Sequence, residues 1–161
     1  MTLDNKMPSG SYGILQKNTP DSAIEEAEEQ VRNLGYAVLD SGYSASELEN
    51  LSTNFNRART RYIETFGEAQ LKSVNEFHTI RALLTHGGDT FLKLALNENL
   101  LSILKKLIHG KFILNQQNGI INPPQETYNQ SAWHRDLPYQ HFVSTQPLAI
   151  NALFCVDDFT F

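Results

Sequence analysis

Two residues, His134 and Asp136, speak most directly of chemistry. They stand one residue apart in the stretch Ser131-Ala132-Trp133-His134-Arg135-Asp136-Leu137-Pro138-Tyr139. On a β-strand, side chains alternate with period two, so both project from one face. An imidazole and a carboxylate aimed at a common point make two legs of a facial site of the kind that holds non-haem Fe(II). The plain alternative is a structural His–Asp hydrogen bond. Side-by-side projection argues against that direct pairing.

The elements that must position this pair follow from composition and periodicity. A chain of 161 residues is the size of one domain and can bury a real core. Its net charge of −5 argues against nucleic acid or an anionic membrane surface as the main partner. No run approaches transmembrane length, and the N-terminus lacks a signal peptide's apolar centre. Cys155 is the single cysteine, which excludes a disulfide framework and a cysteine-built zinc cluster and fits a reducing, cytoplasmic setting. After Lys111 the last fifty residues hold one basic side chain, Arg135, and four acids. A solvated helical surface is rarely so poor in Lys and Arg. The C-terminal third therefore reads as sheet, and the first two thirds as helices packed on it.

Residues 1–19 are polar and show no sustained period, as in a flexible arm, and residues 20–161 read as a single domain. Thr19-Pro20 resembles an N-cap followed by proline at the first helical position. Ile24, Ala27, Val31 and Leu34 give that helix one apolar stripe, and Gly35 ends it. Tyr36–Leu39 reads as a short strand. Ser44 and Glu47 have capping-box spacing, and Leu48, Leu51, Phe55, Ala58 and Tyr62 carry a stripe through a long helix ending near Gly67. Arg57, Arg59 and Arg61 fan around that helix. Phe91–Leu96 is apolar nearly all round, and Asn97 caps a last helix striped by Leu100, Leu101, Leu104, Leu107 and Ile108. From Lys111 the period becomes two: residues 111–121 read as a strand bulged at Gly119. Residues 146–158 read as a central strand with Leu148, Ile150, Ala152, Phe154 and Val156 on one face and Ala149, Asn151, Leu153 and Cys155 on the other.

Trp133-His134-Arg135-Asp136-Leu137-Pro138, the Leu148–Val156 run and Asp157-Asp158-Phe159-Thr160 together resemble the phytanoyl-CoA dioxygenase family. Gly35-Tyr36-Ala37-Val38-Leu39-Asp40 before a long helix is similar to that family's opening. The resemblance implies Fe(II)- and 2-oxoglutarate-dependent hydroxylation of a small-molecule substrate on a double-stranded β-helix. His134, Asp136 and a distal histidine would hold iron, and an arginine would clamp the co-substrate's far carboxylate. Asn115 and Gln117 share one strand parity and could reach the co-substrate, as could Asn151; hydrogen-bonded core amides are the alternative for each. The sequence stops at Phe161 before a distal histidine or arginine. His141, just past Pro138, is a poor substitute ligand, and Arg135 lies on the wrong parity for a clamp.

The fold expected is α+β, with helices packed on a partial double-stranded β-helix (jelly-roll) core, C-terminally incomplete. Weak or absent turnover follows from that incompleteness, and exposed sheet edges would favour a homo-oligomer. A non-catalytic binding or assembly module on the same fold, or another cupin-like metal-binding protein, is the competing reading.

Overall fold

Ser22 starts the first helix, because its hydroxyl accepts from the Glu25 N–H at 3.2 Å and satisfies one of the otherwise orphaned amides of the opening turn. The computed structural model describes residues 20–124, 134 and 146–158. The expected cap at Thr19 lies outside them, and the helix begins three residues past Pro20 with Ser22 as its cap. Helix α1 is Ala23–Leu34 and ends on Gly35 in the left-handed region (φ 85°), as its glycine predicts. Helix α2, Ala45–Phe66, opens on a full capping box: the Glu47 N–H reaches the Ser44 hydroxyl, and the Glu47 carboxylate accepts from the Ser44 N–H at 2.8 Å.

The 68–88 stretch has no single period because it is broken into short pieces. Helix α3 is Glu68–Ser73, strand β1 is Thr79–Ile80 and helix α4 is Leu83–Gly87. Helix α5, Asp89–Ala95, carries Phe91, which is completely buried. Helix α6, Glu98–Leu107, is capped by the Asn97 side chain on the Leu100 N–H at 3.0 Å. Strand β2, Gly119–Ile120, pairs antiparallel with β1, Thr79 opposite Ile120 and Ile80 opposite Gly119.

Burial divides into two clusters. Leu51, Ala58 and Tyr62 of α2 pack with Leu71, Ile80, Leu83, Phe91 and Leu94. Ala27 of α1 packs with Ile103 and Leu107 of α6, and this second contact is edged by charge. Glu28 accepts from Arg32 at 3.0 Å and lies 3.5 Å from the Lys106 ammonium, while an Arg32 guanidinium N–H reaches the Lys106 carbonyl at 3.0 Å. The Arg32 hydrogen bond, aided by the charge of Lys106, holds the Glu28 carboxyl below its ordinary range.

The sheet differs from expectation. Among the described residues only β1 and β2 are strands, each two residues long, so the helices are observed and a jelly-roll core is not. Within 111–121 only Gly119–Ile120 pairs, and neither Tyr36–Leu39 nor 146–158 is a strand. The expected central strand is not buried on both faces: Ile150 packs on the α1–α6 cluster and Phe154 and Val156 on the α2 cluster, whereas Leu148 and Ala152 of the same parity are exposed and Leu153 is 87% exposed. A ladder needs a neighbouring chain segment at hydrogen-bonding distance, which alternation within one segment does not supply. Among the described residues no helix is long and apolar enough to cross a membrane.

Candidate functional site

His134 itself is in neither helix nor strand and is exposed. Its partner Asp136, together with Trp133 and Arg135, lies outside the described residues, as does His141. No group of three His, Cys, Asp or Glu side chains that could hold a metal assembles among the described residues, a set that leaves Asp136 out. As donor types, an imidazole and a carboxylate suit a borderline divalent cation such as Fe(II).

The amides are placed differently from one another. Asn115 and Asn151 are exposed. Gln117 is half-buried, and its Nε2 donates to the Phe91 carbonyl at 3.0 Å. Its main-chain carbonyl accepts from the Leu83 N–H at 2.8 Å, so the residue joins the approach to β2 to the α4–α5 pair by two bonds. Its remaining side-chain polar atom, Oε1, is buried with no partner among the described residues. That atom is an acceptor, and a carboxylate such as that of 2-oxoglutarate requires donors.

The other conspicuous side chains have local partners. Arg59 sits partly buried with its guanidinium 5.6 Å from the centre of the Phe77 ring, while Arg57 and Arg61 are exposed along a shallow groove on the outer side of α2. Arg57 and Arg61, one turn apart, share a face, and only Arg59 turns away, so the expected fanning of all three is not observed. His86 stands edge-on to Tyr62 with ring centres 5.0 Å apart, and His78 edge-on to Phe77 at 5.2 Å. Arg81 makes a two-point contact with Glu76, through Nε at 2.8 Å and through NH2. That contact raises the Arg81 pKa further above its already high ordinary value. This pair was not legible in the sequence, because a separation of five residues falls on no helical or strand period. Ser52 donates to Asp157 at 3.2 Å, placing the first of the two consecutive aspartates against α2.

A family model described as phytanoyl-CoA dioxygenase matches residues 31–161. No curated protein and no solved structure matches the chain. The matched region contains both His134 and Asp136 and every element from the end of α1 onward.

Proposed function

The chain belongs to the phytanoyl-CoA dioxygenase family, and on that premise we propose that it binds Fe(II) through His134 and Asp136 in the service of 2-oxoglutarate-dependent hydroxylation of a small molecule. The observation that carries the reading is the family match across the whole His-X-Asp region. The exposed ring of His134 agrees with it. Bound iron supplies dioxygen activation coupled to decarboxylation of 2-oxoglutarate, with succinate, carbon dioxide and an alcohol as products. The chain's own residues contribute the rest. His134 offers a neutral nitrogen and Asp136 an anionic oxygen to the cation. The exposed carboxamides of Asn115 and Asn151 offer N–H donors to a co-substrate carboxylate. Gln117, with its donor engaged by Phe91, serves by fixing the approach to β2.

Anaerobic Fe(II) titration of the full chain tests the metal half. His134→Ala and Asp136→Ala should each weaken binding at least about tenfold, as loss of a ligand does. Equal binding by all three proteins overturns the reading and favours a non-catalytic binding module on the same fold. Succinate release from 2-oxoglutarate, dependent on iron and abolished in both variants, tests the catalytic half.

A further inference from the structure

We draw no further inference here: the strongest candidate, the shallow polar groove along α2 lined by Arg57, Arg61 and Glu64, is built from exposed side chains of one helix, and nothing among the described residues shows what covers it.

Discussion

The Gln117 carboxamide donates to the Phe91 carbonyl at 3.0 Å, and Phe91 is the side chain most completely withdrawn from solvent. A polar residue near the β-ladder is thus fastened to the centre of the α2 cluster. Gln117→Ala should cost about 1–2 kcal/mol, the worth of a hydrogen bond plus the packing of its stem. That corresponds to a fall in Tm of roughly 2–8 °C for a chain of this size. Gln117→Glu should cost more at pH 7, because it sets a carboxylate oxygen against a carbonyl. Thermal unfolding of the two variants side by side checks the order.

Gly119 is needed for space. A Cβ there would lie 2.6 Å from the Phe55 ring, closer than side chains pack. Gly119→Ala should lose about 1–3 kcal/mol through overpacking. Adding Phe55→Leu should recover part of that loss, so that the double variant is more stable than the sum of the singles predicts. Denaturant midpoints measure both.

The capping box of α2 gives a pH-dependent prediction. Hydrogen bonds from the Ser44 hydroxyl and then its backbone N–H hold the Glu47 carboxyl below its ordinary pKa of 4.5. A carboxyl depressed in the folded state adds stability that is present above its unfolded pKa and fades as pH falls through the folded one. Ser44→Ala should cost about 1 kcal/mol near neutrality. Its Tm deficit against the parent should narrow below about pH 4, and a constant deficit from pH 7 to pH 3 would contradict the box.

The α1–α6 contact separates charge from packing. Leu107 is 1% exposed, and Leu107→Ala should cost about 2–5 kcal/mol. Glu28→Gln removes the carboxylate shared by Arg32 and Lys106, yet the pairs lie at the surface and should be worth under about 1 kcal/mol. Repeating both unfolding curves in 1 M salt should shrink only the Glu28 effect.

What could be read from sequence alone divides along local and non-local lines. The Ser44–Glu47 box, the Asn97 cap, the Gly35 terminus and the stripes through Leu51, Ala58, Tyr62 and Leu107 all depend on residues within a turn or two. Ile103 was masked in reading the stripe because its neighbours Leu100, Leu101 and Leu104 are equally apolar. Leu71, Ile80 and Leu83 lie in a stretch of five- and six-residue elements, too short for periodicity to register. Strand pairing and burial are relations between distant segments, so alternation in 148–156 revealed neither a ladder nor that Leu148 and Ala152 are exposed while Ile150, Phe154 and Val156 pack on the helices. Of the candidate site, the spacing of His134 and Asp136 makes them candidates, and Asp136 lies outside the described residues. Nothing in it signalled that the Gln117 donor is taken by a carbonyl 26 residues away.

The segment that leans Ile150 on one helical cluster and Phe154 and Val156 on the other works as a cross-brace between them. Loosening one cluster withdraws support from the second, so calorimetry should record one shared melting event. Cleavage beside the protruding Leu153 would uncouple the halves into two.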